Sequence, residues 1–248
     1  MKLAGKTAVI TGAGGGLGQA MANAFASEGA HVAMLDINAD LVNAAAAAVP
    51  GGYGHAYVVD VRDRLAVKAA IDDFAQRQGG LDILVNNAVA FSYAPLVDMG
   101  EDIVDRMLDV GIKGVFWSLQ AATPHLIARG GGAVINLSSI AVSFSIRNAA
   151  VYTSIKGALD ALTRQQAVEL GAHNIRVNAI APGSVETPGA SSVIDAQGWE
   201  SRKARTPLKR LATPEEVAAA ALFLVSDDAQ AIAGVTLKID AGMTVSGP

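Results

Sequence analysis

The sequence predicts a doubly wound α/β domain: a parallel sheet of about seven strands with helices on both faces. Two patterns carry that prediction. Short apolar runs alternate with longer helical stretches along the chain, and several of those runs are apolar throughout, as strands covered on both faces are. A third observation bounds the architecture. Neither an internal repeat nor a dividing linker interrupts the 248 residues, so residues 1–248 read as one domain.

The elements follow in order. The first strand-like run, 7–10, enters a glycine-rich turn and then a helical pattern over 17–27. Runs 31–35, 56–59 and 83–85 lead to helical patterns over 39–48, 64–78 and 101–129. Runs 133–137 and 176–180 precede helices over 151–170 and 214–225, and the last strand is 236–239. Thr213 ahead of Pro214, Glu215 and Glu216 is a helix start: a cap, a proline at the first position, and acids at the positive end of the dipole. The longest irregular stretch is 183–210. A loop of that length in a compact domain is functional or locally helical, and it is the candidate substrate lid.

Composition excludes several functions. Hydrophobic residues make up 51% of the chain, enough for a sizeable core, and the net charge of −4 has no basic run behind it. Neither a nucleic acid nor an anionic membrane therefore finds electrostatic support. The chain has no cysteine, so it has no disulfide, thiol nucleophile or thiolate metal site, which fits a cytoplasmic address. The N-terminal residues lack the apolar stretch and small-residue cleavage site of a signal peptide. His31, His55, His125 and His173 have no metal-ligand spacing, so no catalytic metal is expected.

The turn after the first strand reads Thr11-Gly12-Ala13-Gly14-Gly15-Gly16-Leu17-Gly18. Glycines let the backbone turn tightly and approach a pyrophosphate lying at a helix N-terminus. Glycine clusters also make ordinary turns, but this one has a strand before it, a helix after it, and Asp36 at the end of the next strand. A carboxylate there accepts hydrogen bonds from ribose hydroxyls and repels a 2′-phosphate, which favours NAD over NADP.

Tyr152 and Lys156 are four residues apart on one helical pattern and share a face. A lysine ammonium and a cationic nicotinamide ring nearby are expected to lower a tyrosine pKa from about 10, making it a usable acid/base. Ser139, after the fifth strand, is placed to hydrogen-bond a substrate oxygen. Alone, a Tyr-x-x-x-Lys pair is commonplace on amphipathic helices. Its weight comes from Ser139 and the glycine turn, which both fall at strand carboxyl ends, where open α/β sheets bind ligands.

Taken together, these motifs resemble the short-chain dehydrogenase/reductase family over nearly the whole chain. Thr11-Gly12-x-x-x-Gly16-x-Gly18 matches its cofactor fingerprint, Asp60-Val61 its adenine-bordering segment, and Asn86-Asn87-Ala88 its motif after the fourth strand. Ser139, Tyr152 and Lys156 match the catalytic spacing. Pro182-Gly183-x-Val185-x-Thr187 matches the stretch facing nicotinamide. The resemblance implies a Rossmann-type fold, tyrosine-based catalysis, cofactor contacts from these residues including Leu17, and a homotetramer.

Three departures stand out. Val89 occupies the glycine position of Asn-Asn-Ala-Gly, Ala241 replaces a glycine in Asp240-Ala241-Gly242, and Gly111 stands where the family has a fourth catalytic residue, asparagine. That asparagine helps to hold a relay water. A main-chain carbonyl can do the same, so the expectation is an active enzyme with an altered relay and a local helix distortion at Gly111. The reading is thus an NAD(H)-dependent oxidoreductase interconverting a secondary alcohol and its ketone, the substrate a small alcohol, cyclic ketone or polyol. The alternatives are an NADPH-linked 3-oxoacyl-thioester reductase and a non-catalytic dinucleotide-binding protein.

Overall fold

The structure, a computed structural model, describes residues 1–191 and 194–246. Seven parallel strands, β1 (Thr7–Thr11), β2 (His31–Asp36), β3 (Gly54–Val58), β4 (Ile83–Asn86), β5 (Gly132–Leu137), β6 (Ile175–Pro182) and β7 (Thr236–Ile239), form one sheet in the order β3-β2-β1-β4-β5-β6-β7. The order reverses between β1 and β4. At that switch point the crossovers leave in opposite directions and open a crevice above the strand ends.

Helices cover both faces. α1 (Gly16–Ser27), α2 (Ala39–Ala48) and α9 (Pro214–Val225) bury Phe25, Val42 and Leu224 on one side. α3 (Arg64–Gln78), α5 (Gly114–Arg129) and α6 (Ala150–Gly171) bury Phe74, Leu126 and Leu159 on the other. Strand alternation divides the residues between the layers: Ala8 and Ile10 of β1 face the first, Val9 the second. The apolar runs of the central strands were legible because those strands are buried on both sides.

The helix starts obey their caps. Thr213 accepts from the Glu216 amide while the Glu216 side chain accepts from the Thr213 amide, a complete capping box. Asp63 caps α3 by accepting from the Leu65 and Ala66 amides. The pattern over 101–129 is not one helix. α4 (Glu101–Leu108) passes through a π-helical turn, Asp109–Lys113, before α5 begins. Gly111 lies buried in that turn, where the expected distortion occurs. The lid region, read as irregular or locally helical, contains α7 (Pro188–Ser191) and α8 (Ala196–Arg205); Ser192 and Val193 lie outside the described residues. No helix among the described residues is long and apolar enough to cross a membrane.

At the opposite end of the sheet, Asp82 ties β1, β4 and α5 together. Its carboxylate accepts from the Thr7 amide at 3.0 Å, Arg129 Nε at 3.1 Å and Lys6 Nζ at 3.2 Å. Burial pushes its carboxyl pKa up, but the Arg129, Thr7 and Lys6 interactions outweigh that and hold it below the ordinary value. Asp82→Ala is therefore expected to cost about 2 kcal/mol at pH 7. This is less than a fully buried pair, because Lys6 and Arg129 are partly solvated. Because the folded pKa is depressed, the contribution is present above about pH 4 and fades as pH falls through the folded value. Urea unfolding at pH 7 and pH 3 checks this: the difference between wild type and variant should shrink in acid.

Candidate active site

The glycine turn is shaped by close approaches. A Cβ on Gly18 would lie 2.4 Å from the Gly12 carbonyl oxygen, and one on Gly12, whose φ is +64°, would lie 2.7 Å from Ala88 Cα. These positions admit glycine alone. Gly15 precedes α1 with no side-chain cap, and no acidic residue occupies the first turn. The amides there are free of side-chain acceptors and point to where an anion would sit. Asp36 is fixed beside them, its Oδ2 accepting from the Gly14 amide at 2.9 Å and its Oδ1 from the Asn38 amide at 3.0 Å. A glycine cradle, an uncapped helix start and an oriented carboxylate at the end of β2 together fit a dinucleotide.

The other predicted cofactor residues fall around this crevice in different roles. Asn87 Nδ2 donates to the carbonyls of Thr11 (3.0 Å) and Gly12 (2.8 Å), so its side chain braces the turn. Asp60 is engaged by Arg62 through Nε and Nη2, and Val61 is buried against Gly114. Leu17 packs partly into the core beneath α1. Gly183 follows Pro182, and a Cβ on it would meet Asp240 Cα at 2.8 Å. Val185 is buried and bridges to Ala212, while Thr187 lies over Gly16, whose Cβ would sit 3.5 Å from that of Thr187. The exit of β6 thus closes against the glycine turn.

Ser139, Tyr152 and Lys156 converge on the same edge. Lys156 is fully enclosed, its Nζ donating to the Leu137 carbonyl at 2.5 Å and lying 5.7 Å from the Tyr152 ring centroid. Ser139 Oγ accepts from the Ala141 amide at 3.1 Å. Burial lowers the Lys156 pKa to about 8, with the Asp160 carboxylate opposing. The lowered tyrosine pKa expected from the sequence is not what the chain alone provides. Burial pushes the Tyr152 phenol up, and the hydrogen bond with Ser139 pulls it only part of the way back. The lysine cation is held at the Leu137 carbonyl, and the second cation in the expectation, a nicotinamide ring, would come only with a bound cofactor.

Residues 90–93 leave the end of β4 beside this site. Tyr93 packs its ring 5.9 Å from that of Tyr152, with Phe91 a further 5.9 Å away, forming an aromatic wall. Trp199 of α8 is 8% exposed, so it anchors the lid. Of the lid cations, Lys203 pairs with Glu186 and Glu200, while the Arg202 guanidinium lies over Trp199 and its charge reaches the Tyr93 phenol.

Comparison with known proteins agrees with this geometry. A family model described as enoyl-(acyl carrier protein) reductase matches residues 12–244. A 3-oxoacyl-(acyl-carrier-protein) reductase of Thermotoga maritima is 38% identical, covering 99% of this chain and 100% of the relative. A D-threitol dehydrogenase of Mycolicibacterium smegmatis is 36% identical over 98% of this chain and 95% of its own. A 7α-hydroxysteroid dehydrogenase, solved with NADH and 7-oxo-glycochenodeoxycholic acid, superposes with a TM-score of 0.92 at 36% identity, over 97% of this chain and 95% of that one.

The chain belongs to the short-chain dehydrogenase/reductase family.

Within that family its departures have structural addresses. Ala241 adopts a φ of +53°, a conformation that costs an alanine about 1 kcal/mol and a glycine little. Val89 is 44% exposed beside the turn that Ala88 makes against Gly12, so its side chain has room. Enclosing Lys156 has an energetic consequence as well. A lysine whose folded pKa lies below its unfolded value destabilises the fold below about pH 8, and the penalty is relieved as pH rises from there towards 10.5. Lys156→Met is therefore expected to raise the melting temperature at pH 7 by a few degrees while abolishing turnover. Scanning fluorimetry without cofactor at pH 7 and pH 10 checks it: the gain should be larger at pH 7.

Proposed function

We propose that the chain is an NAD(H)-dependent oxidoreductase that interconverts a small secondary alcohol, cyclic alcohol or polyol and its ketone. The convergence of Ser139, Tyr152 and Lys156 at the carboxyl ends of the strands, beside the glycine turn and Asp36, supports this reading. Bound nicotinamide supplies the hydride acceptor or donor. Tyr152 Oη accepts the alcohol proton during oxidation and returns it to the ketone oxygen in reduction. Ser139 donates a hydrogen bond to the substrate oxygen and orients it, and the Lys156 ammonium lowers the cost of a phenolate at Tyr152. Tyr93 and Phe91 wall the substrate side, and α8 covers it.

The Thermotoga relative favours a second reading, an NADPH-linked 3-oxoacyl-thioester reductase. Asp36 opposes it. Its carboxylate, oriented by the Gly14 and Asn38 amides, stands where a 2′-phosphate would bring further negative charge. Steady-state assays with NADH and NADPH across a panel of ketones, polyols and a 3-oxoacyl thioester distinguish the two. Wild type should prefer NADH, Asp36→Asn should narrow the preference roughly tenfold, and Tyr152→Phe should abolish turnover while still quenching on NADH binding. Wild-type preference for NADPH overturns the NAD assignment, and no turnover across the panel overturns the enzymatic one.

The assembly proposed with this reading is a homotetramer. An apolar groove between α5 and α6, lined by Phe116, Leu119, Pro124, Leu162 and Leu170, lies on the outer surface away from the candidate site and supports it. Light scattering after size exclusion should give a four-chain mass for wild type and a smaller one for Phe116→Glu.

A further inference from the structure

The π-helical turn meets the catalytic helix at one point. A Cβ built on Gly111 would lie 2.6 Å from Ile155 Cγ2, 3.4 Å from its Cδ1 and 3.7 Å from its Cβ. Carbon atoms do not approach to 2.6 Å without displacement, so the space beside residue 111 is already filled by Ile155. Ile155 is 3% exposed and clusters with Met107 and Val151, with Val104, Ile112 and Tyr152 packed around them. As a β-branched residue within a helix it has one strongly preferred rotamer and does not swing aside. It stands three residues after Tyr152, on the same helical face, and immediately precedes Lys156.

We propose that Gly111 and Ile155 form a size-matched pair that positions the Tyr152–Lys156 couple. The missing side chain at 111 makes a hollow and Ile155 fills it. The contact holds the first turns of α6 in register with the strand ends carrying Ser139. The contact is apolar: Asp109 and Lys113, the charged residues of the turn, pair with each other at 2.7 Å. The groups acting on Lys156 are Asp160 on its own helix, the Tyr152 ring and the Leu137 carbonyl of β5. Ile155 is thus a positioning residue, and the proposal rests on the dehydrogenase reading only where turnover is measured.

The test is a double-mutant cycle on the full chain with Gly111→Ala, Ile155→Ala and the double variant, and Ile155→Val as a control that keeps both γ-carbons. Melting temperature, NADH binding, KM and kcat are the readouts. Gly111→Ala should lower the melting temperature and reduce kcat roughly tenfold through misplacement of Tyr152. In the double variant the two Cβ atoms sit at an ordinary 3.7 Å, so it should regain melting temperature and kcat relative to Gly111→Ala. Ile155→Ala should lower kcat with KM and NADH binding little changed, because it loosens the placement of Tyr152 and leaves the substrate wall alone, and Ile155→Val should keep the wild-type values. The pair is overturned if Gly111→Ala keeps the wild-type melting temperature or if the two losses add. The positioning role is overturned if Ile155→Ala keeps the wild-type kcat. Should wild type turn over no alcohol, the dehydrogenase reading fails and the positioning role with it, while the melting-temperature cycle still decides the packing.

Discussion

Four hydrogen bonds clamp the end of β1 to the end of β4, and the site is organised around that clamp. Asn87 Nδ2 donates to the carbonyls of Thr11 and Gly12, while Thr11 Oγ1 accepts from the Asn87 and Ala88 amides at 3.0 and 3.1 Å. These two strands flank the point where the sheet order reverses, so no crossover helix covers the space above them. The clamp brings Ala88 so near Gly12 that no Cβ fits between them. From one side of it the glycine turn is aimed into α1, next to Asp36. From the other, the chain leaves β4 towards Phe91 and Tyr93 and so builds the wall against which Tyr152 packs.

This explains which features were legible in the sequence. All seven strands were: burial on both faces makes the central ones nearly continuous apolar runs, and the half-buried edge strands β3 and β7 showed in the alternation of short apolar runs with helical stretches; their ends moved by up to two residues, as with β6, which runs on to Pro182. The helix starts at Asn38, Asp63 and Thr213 followed local capping chemistry. Ser139, Tyr152, Lys156 and Asp36 were readable because each sits at a fixed place relative to a strand end. Contacts between distant segments were not. Asn87 read as a cofactor residue, and only the fold shows its amide spent on the Thr11 and Gly12 carbonyls. Ile155 carried no signal at all, since its partner lies in a different helix and is recognisable only by the side chain it lacks. The Trp199 anchor and the Tyr93 stack likewise depend on how the lid and the β4 exit fold back.

Tyr152 and Lys156 show what the enclosure costs. Burial pushes the phenol up and the ammonium down, so each group is driven towards its neutral form. The chemistry proposed for this pair needs the opposite, a phenolate within reach and a charged lysine behind it. The Leu137 carbonyl offsets part of the lysine's desolvation by accepting from Nζ. The remainder is stability given up for a site dry enough that each fixed charge acts strongly.

The same economy of charge bears on the substrate. Lys203 is shared between Glu186 and Glu200, and Arg210 is held bidentately by Glu216, both Nη atoms at 2.7 Å. Arg202 lays its guanidinium over Trp199 and donates to the Gly198 carbonyl at 3.0 Å. An internal carboxylate competes with a substrate anion for a lid cation, and Lys203 and Arg210 are committed in that way. Arg202 is not: no carboxylate among the described residues pairs with it, and its charge reaches the Tyr93 phenol. The aromatic surface of Phe91 and Tyr93 suits the neutral alcohol proposed for this site, and Arg202 beside it is the cation that a carboxylate on a substrate would meet.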